Sequence, residues 1–405
     1  MRITQRARRV DPFYVMELAK EAQAISAQAG PDGRPMIYLN IGEPDFTAPP
    51  LVQAAAERAI RDGLSQYTPA TGLPALREAI SGWYAQRFGL DIDPSRIVIT
   101  AGASAALQLA CLALIEAGDE VLMPDPCYPC NRQFVQAAEG RPVMIPCCPE
   151  QRFQLSVEQV RQAWTDATRG VLLASPSNPT GTSIERDALQ AIASEVRARG
   201  GITLVDEIYL GLSYDSAFGH SALGLPDGLG EQVISVNSFS KYFNMTGWRL
   251  GWLVLPPALV EPVERLSQNL FICASTIAQH AALACFEPES LAEYERRRAE
   301  FKARRDWFIP ELQRLGLEVP VMPDGAFYAW ADVSGLCGRW GIPMQGEPDS
   351  SGSWALAFEL MRRCHIAATP GRDFAQAEPG RWLRFSTANA LPQLQEAIAR
   401  LEAAL

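Results

Sequence analysis

Between about residues 49 and 290 the chain alternates short apolar, β-branched runs with longer segments whose apolar residues recur at helical spacing. The runs fall at 96–100, 120–123, 170–174, 201–205, 232–236 and 250–255. Runs that stay apolar throughout, without polar alternation, fit strands covered on both faces. Interleaved with helices, they predict an α/β layer on a mostly parallel sheet.

Past this block, residues 291–315 carry Tyr294, Phe301, Trp307 and Leu312 among many arginines and glutamates, which predicts one long connecting helix. A strand pattern at 326–331, a Gly/Pro/Ser-rich loop at 341–353, two further helical patterns and a strand at 382–386 predict a second, smaller α/β unit. Near the start, Val15, Leu18, Ala22 and Ile25 share one helical face. That arm is too short to be a domain and is expected to pack on the C-terminal unit. The expected organisation is an N-terminal arm with part of the small domain over 1–48, a large domain over 49–290, and the connecting helix with the C-terminal small domain over 291–405.

Length and composition narrow the class. A chain of 405 residues with 48% hydrophobic and 20% charged residues reads as a globular protein of about two domains. A net charge of −10 and a pI near 5.0 argue against nucleic acid or anionic membrane as partners and favour small-molecule chemistry. No run of about 18 apolar residues is present. Residues 1–10 are basic but lack the apolar core of a secretory signal, and Asp11-Pro12 interrupts them, so a structural arm in a cytoplasmic protein is expected. Nine cysteines favour reduced thiols over a disulfide framework, although Cys127-Tyr128-Pro129-Cys130 has a redox spacing and Cys147-Cys148 are adjacent. His220, His280 and His365 are scattered without metal-ligand spacing, so no metal site is expected.

The chemistry concentrates around Lys241. Only Lys20, Lys241 and Lys302 interrupt an otherwise all-arginine choice of cation, and arginine cannot form a Schiff base. Lys241 stands among small, apolar and hydroxyl residues in Ser238-Phe239-Ser240-Lys241-Tyr242, where desolvation favours a free, nucleophilic amine. Arg249, eight residues on, offers a planar fork for a phosphate. The run at 170–174 leads into Ser175-Pro176-Ser177-Asn178-Pro179-Thr180-Gly181, which presents an amide but is also an ordinary turn sequence. The run at 201–205 leads into Asp206-Glu207-Ile208-Tyr209. Ligands of open parallel sheets bind outside the carboxyl ends of strands, so Asn178, Asp206, Tyr209 and Lys241 are expected to converge there. At 101–107 a small-residue turn, with Gly102, Ala103 and Ser104, opens a helix whose N-terminus suits a phosphate or is simply a tight turn.

Together these residues resemble the fold-type I pyridoxal-phosphate enzymes, specifically the class I and II aminotransferases of the aspartate aminotransferase superfamily. The resemblance spans nearly the whole chain, with Gly42-Glu43-Pro44-Asp45-Phe46, Tyr67 and Gly72, the turn at Gly102, Tyr128, Asn178-Pro179, Asp206, Tyr209, the Lys241 segment and Arg384 in order. It implies a fold-type I transferase with a large domain on a mostly parallel sheet and a smaller α/β domain made from both chain ends. It also implies pyridoxal 5'-phosphate as cofactor. Lys241 would be the residue joined to its aldehyde and the acid/base. Asp206 would pair with the pyridine nitrogen, Tyr209 and Asn178 would bond the ring oxygen, and Tyr128 would stack on the ring. The Ala103 N–H, Ser104, Ser238, Ser240 and Arg249 would hold the phosphate, with Tyr67 reaching the phosphate of a neighbouring subunit in a homodimer. Arg384 would clamp the substrate α-carboxylate, helped by Asn178 and the Gly42 backbone.

The side-chain pocket departs from the acidic-substrate pattern of that family. Where many aspartate aminotransferases carry a partner-subunit arginine, this chain reads Gln268-Asn269-Leu270-Phe271-Ile272-Cys273-Ala274-Ser275. Arg132 or the N-terminal arm are the substitutes on offer. The expectation is ping-pong amino transfer from a neutral or aromatic L-amino acid, with aspartate as a further option, to a 2-oxo acid such as 2-oxoglutarate or pyruvate. The alternative keeps the cofactor and changes the bond broken, as in a carbon–sulfur β-lyase or another lyase or synthase of the same fold. A ligand-sensing regulator would need a DNA-binding segment ahead of the core, and no helix-turn-helix pattern stands there.

Overall fold

The computed structural model describes residues 2–10, 14–29, 33–347 and 349–405. Its strands are β1 (Ile37–Tyr38), β2 (Ile97–Thr100), β3 (Glu120–Asp125), β4 (Arg141–Pro146), β5 (Thr168–Ala174), β6 (Ile202–Asp206), β7 (Ile234–Ser238), β8 (Gly251–Val254), β9 (Tyr328–Asp332), β10 (Ile366–Ala367), β11 (Thr369–Pro370) and β12 (Trp382–Ser386). Seven of them form one sheet in the order β2-β8-β7-β6-β5-β3-β4. All neighbours are parallel except β8, which runs antiparallel to both β7 and β2.

Burial on both faces explains the unbroken apolar runs. In β5, Val171 and Leu173 join Leu122, Val205 and the helix Arg186–Ala198 on one side, while Leu172 joins Met123, Leu204, Val236 and the helix Ala103–Leu114 on the other. All six predicted runs are strands of this sheet. The seventh, β4, was not expected: it reads Arg-Pro-Val-Met-Ile-Pro, and its exposed ends and two prolines belong to an edge, where missing donors and polar flanks are tolerated. The run at 250–255 also differs in direction, since β8 is the one reversed strand.

The remaining strands lie elsewhere. β11-β12-β9 form an antiparallel sheet, and β1 pairs in parallel with β10, so a strand from the start of the chain lies beside one near its end. The helix Tyr14–Ala29 buries Val15, Leu18 and Ala22 as its spacing predicts; Asp11 and Pro12 fall outside the described residues. Leu18, Ala22, Ile37 and Leu39 share one apolar cluster with Leu356, Leu360, Leu383, Leu394 and Leu401. The helix Pro288–Arg314, 27 residues long, reaches into both halves. Its Tyr294 and Phe301 pack in the cluster under the large sheet, and Phe308, Ile309 and Leu312 pack in the one built from both chain ends. Arg304 of this helix is fully buried and grips Asp45 through two bonds of 2.8 and 3.0 Å, tying the 42–46 segment to it.

Candidate active site

β5, β6 and β7 run in parallel, so their carboxyl ends share one edge of the sheet. β6 delivers Asp206 as its last residue, β5 leads to Asn178, and β7 ends on Ser238 just before Lys241. After β7 the loop turns its apolar residues inward: Phe239, Tyr242, Phe243 and Met245 are buried with Trp83, Trp252 and Tyr294. The Ser240 N–H donates to Ser238 Oγ at 3.0 Å and fixes the turn. Lys241 then extends its Nζ to the Gly42 carbonyl at 2.5 Å.

Electrostatics distinguish this lysine from a surface one. Burial lowers its pKa to about 8, with Glu43 opposing and the Arg384 and Arg249 charges assisting. Asp206 is displaced the other way. Burial raises its carboxyl to about 7, helped by Glu207 and opposed by the Ile208 N–H at 3.2 Å and by Lys241. Glu207, its neighbour in sequence, is a different matter: it accepts from Ser235 Oγ at 2.6 Å, the Ala222 N–H at 2.7 Å and Ser221 Oγ at 2.8 Å, and is wholly engaged in the scaffold.

Opposite Lys241, Arg384 on β12 is buried. Its Nη1 donates to Asn178 Oδ1 at 2.7 Å and its Nη2 to the Asn40 carbonyl at 2.7 Å, and Nε has no partner. The guanidinium lies over the rings of Tyr328 at 4.4 Å and Phe374 at 4.6 Å. Tyr209 exchanges a hydrogen bond of 2.6 Å with the Tyr328 hydroxyl. Tyr128 is half-buried at the start of the helix Pro129–Ala137; burial holds its phenol well above the ordinary value, reinforced by Cys130, Tyr328 and Asp206 close by. Gly42, Tyr128, Asn178, Asp206, Tyr209, Lys241 and Arg384 are thus one cluster.

A second group adjoins it. Gly102, at φ +82°, precedes the helix Ala103–Leu114, and a Cβ there would sit 2.7 Å from Arg249 Nη2. Gly251 closes the other side, where a Cβ would meet the Ala103 nitrogen and the Asn237 carbonyl at 2.8 Å. Glycine at both positions lets a guanidinium and the unpaired amides of a helix N-terminus share one small space. Ser104 is exposed on the first helical turn, and Arg249, exposed at φ +51°, is steadied by a 3.0 Å bond from Nη1 to the Thr246 carbonyl. A cation, free N–H groups and hydroxyls suit an anion such as a phosphate. The buried Asp206 carboxyl, raised to about 7 by burial, suits a protonated ring nitrogen whose charge would favour its ionised form. The donor set therefore fits pyridoxal phosphate.

Tyr67 is not in the cluster of this single chain: its side chain is 79% exposed, near Thr276, which donates to the Gln66 carbonyl at 2.7 Å. Arg132 is engaged with the Asp373 carbonyl at 2.7 Å. Cys127 and Cys130 are both kept as neutral thiols by burial, Cys127 pushed up to about 12, and all nine cysteines are free. Among the described residues no helix is long and apolar enough to cross a membrane, and no group of three or more His, Cys, Asp and Glu side chains is placed to hold a metal ion.

Sequence reading missed Tyr328, Asn40 and Phe374. The signal was indirect: β9 pairs with β12 so that Arg384 faces Trp330, and Tyr328, two residues away, lies diagonally on the same face.

The profile of the family "Aminotransferase class I and II" matches residues 34–401. The chain belongs to the class I and II aminotransferase family. It is a pyridoxal-phosphate-dependent transaminase. It is 37% identical to a valine–pyruvate aminotransferase of Mycobacterium tuberculosis over 97% of this chain and 96% of that one. It is 33% identical to an aromatic-amino-acid aminotransferase of Thermococcus litoralis over 100% and 98%. A crystal structure of an aminotransferase from Mycobacterium tuberculosis superimposes with a TM-score of 0.91 at 37% identity, covering 100% of this chain and 99% of that one. The aminotransferase fold expected from the strand runs and the Lys241 segment is the fold observed.

Proposed function

We propose that this transaminase moves an amino group between a neutral or aromatic L-amino acid and a 2-oxo acid such as pyruvate or 2-oxoglutarate, by ping-pong turnover. The observation that carries this reading is the placing of Lys241, its pKa lowered to about 8 by burial, and the buried Arg384 fork in one cleft. Bound pyridoxal phosphate supplies an aldehyde for the amine and a ring that spreads the negative charge of a deprotonated α-carbon. Lys241 Nζ would take the proton from the substrate α-carbon and deliver it to the cofactor's C4′ carbon. Asp206 holds the proton on the ring nitrogen, Tyr209 and Asn178 hydrogen-bond the ring oxygen, and Tyr128 covers one ring face. The Ala103 N–H, Ser104, Ser238, Ser240 and Arg249 hold the phosphate. Arg384, Asn178 and the Gly42 backbone hold the α-carboxylate common to amino acid and oxo acid, so one site serves both half-reactions.

The donor class is supported by Gln268-Asn269-Leu270-Phe271-Ile272, which offers no cation, and by the commitment of Arg132 to a main-chain carbonyl. The valine–pyruvate and aromatic relatives point the same way. The working unit in this reading is a cytoplasmic homodimer with Tyr67 given to the partner's phosphate: Tyr67, Leu64, Leu270 and Ile272 are all exposed apolar side chains in the single chain, and nine free cysteines suit a reducing compartment. In this reading the two units are 1–48 with 291–405, and 49–290.

The test is the visible spectrum of the holoenzyme after adding single amino acids without an acceptor. Loss of the band at one equivalent, restored by an oxo acid, is expected, with valine and aromatic donors acting at lower concentration than aspartate. Steady release of ammonia with no acceptor present would replace this reading by a lyase.

A further inference from the structure

Tyr209 and Tyr328 have hydroxyl oxygens 2.6 Å apart, and both side chains are buried. At that distance one proton lies between the two oxygens, and its direction decides what Tyr209 can do. A phenol has a single proton. If Tyr209 spent it on Tyr328, only lone pairs would face the cleft, and Tyr209 could not donate to a negatively charged acceptor there.

The surroundings set the direction. Arg384 lies 4.4 Å over the Tyr328 ring, and a permanent cation on the π face withdraws electron density and makes that phenol the better donor. Arg384 also acts on Tyr209, but the cation over the Tyr209 ring is Lys241 Nζ, farther away at 5.8 Å, while the guanidinium lies directly over Tyr328. The Tyr328 oxygen is also confined. A Cβ on Gly42 would lie 2.2 Å from it, so the Gly42 backbone abuts one side of the hydroxyl while Tyr209 takes another. Its ring is locked edge-on against Tyr209 at 5.6 Å and 80° and packed on Phe327 at 5.1 Å.

We propose that Tyr328 is a positioning residue: it donates its hydroxyl proton to Tyr209 and thereby commits the single Tyr209 proton to the reacting cleft. The inference rests on the reading that Tyr209 bonds the cofactor's ring oxygen, and adds the residue that orients it. Because the same ring carries the Arg384 guanidinium, the carboxylate fork and the Tyr209 hydroxyl are joined through one side chain.

The experiment is a pH titration of the visible band of the substrate-free holoenzyme. A hydrogen bond donated to the ring oxygen stabilises its negative charge and lowers the titration midpoint, so weakening the bond raises it. Tyr328→Phe leaves Tyr209 its own proton but removes the bond that strengthens it as a donor, so the midpoint is expected to rise by about 0.1 to 0.3 pH unit, the cooperative share of one neutral hydrogen bond, whereas a fall would mean that Tyr209 donates to Tyr328 and overturn the proposal. Tyr209→Phe should raise it at least as far, and adding Tyr328→Phe to Tyr209→Phe should change nothing more, since the effect travels through Tyr209. Incorporating 2,3-difluorotyrosine at position 328, nearly isosteric and a stronger donor, should lower the midpoint, and it covers the case in which Tyr328→Phe does not fold. A parental midpoint in both position-328 variants, or additive shifts in the double variant, overturns the proposal alone. A parental midpoint in Tyr209→Phe overturns the site reading and the proposal with it.

Discussion

Lys241 Nζ donates to the main-chain oxygen of Gly42 at 2.5 Å, a bond between residues 199 apart in sequence. It brings the loop after β7 against the 42–46 segment, which Arg304 holds from behind through Asp45. Gly42 has no room for a side chain, because a Cβ would stand 2.2 Å from the Tyr328 oxygen. Gly42→Ala is therefore expected to displace Tyr328 and destabilise the fold by about 1–3 kcal/mol, an overpacking cost. Urea unfolding at constant m-value measures it; unchanged stability and unchanged activity together would show that the contact is not as close as described.

Lys241→Ala removes the proposed nucleophile and leaves the proposed phosphate cradle of Arg249 and Ser104. Cofactor should still bind, weakly and without the lysine-linked absorption band, while turnover falls by at least about a thousandfold. Equilibrium dialysis with spectroscopy separates the two effects. Retention of both band and activity is incompatible with the assignment.

Asp206 gives a pH signature. Burial raises its carboxyl from an ordinary 3.8 to about 7, so in the cofactor-free protein the folded state binds that proton more tightly than the unfolded state. The stabilising proton is fully present below about pH 3.8 and is lost as pH rises through 7, which leaves a buried charge above it. Cofactor-free Asp206→Asn should then be more stable than the parent at pH 8 by about 2–4 kcal/mol, with the gap closing toward pH 4. The holoenzyme should lose activity by about a hundredfold or more. Denaturant melts at pH 4, 6 and 8 decide the matter, and a variant weaker than its parent at pH 8 contradicts the argument.

Arg384→Lys keeps a charge and loses the fork that spans Asn178 and Asn40. The KM for amino acid and oxo acid should rise together by about 10- to 100-fold, the value of a charge-assisted bond, with the cofactor band in place. Steady-state kinetics against both substrates provide the check. A rise confined to one substrate would mean that the two carboxylates bind at different places.

Much of this was legible in the chain. The runs 170–174 and 201–205 appear as β5 and β6 because strands buried on both faces must be apolar at every position, a pattern that survives without knowledge of neighbours. β4 escaped because an edge strand is under no such requirement, and its prolines argue against a strand unless the edge is known. Lys241, Asp206 and Asn178 were readable because each follows such a run. Tyr328 was not, since a buried aromatic on a strand reads as core until its partner across the sheet is known.

By itself the sequence determined the layer architecture, the family and the candidate groups for its chemistry, because these depend on local pattern and on residue types that few reactions can use. Tertiary structure alone decided how differently two neighbouring carboxyls are surrounded. Asp206 and Glu207 are adjacent and alike in sequence, but Glu207 accepts from Ser221, Ser235 and the Ala222 N–H, whereas buried Asp206 accepts from the Ile208 N–H and lies near Lys241. It also decided that Arg384 meets Asn178, 206 residues away, and that Tyr328 stands between that fork and Tyr209. Side-chain type is written locally, but desolvation and hydrogen-bond partnership depend on what the rest of the chain brings into contact, and those set the charge and direction of each group.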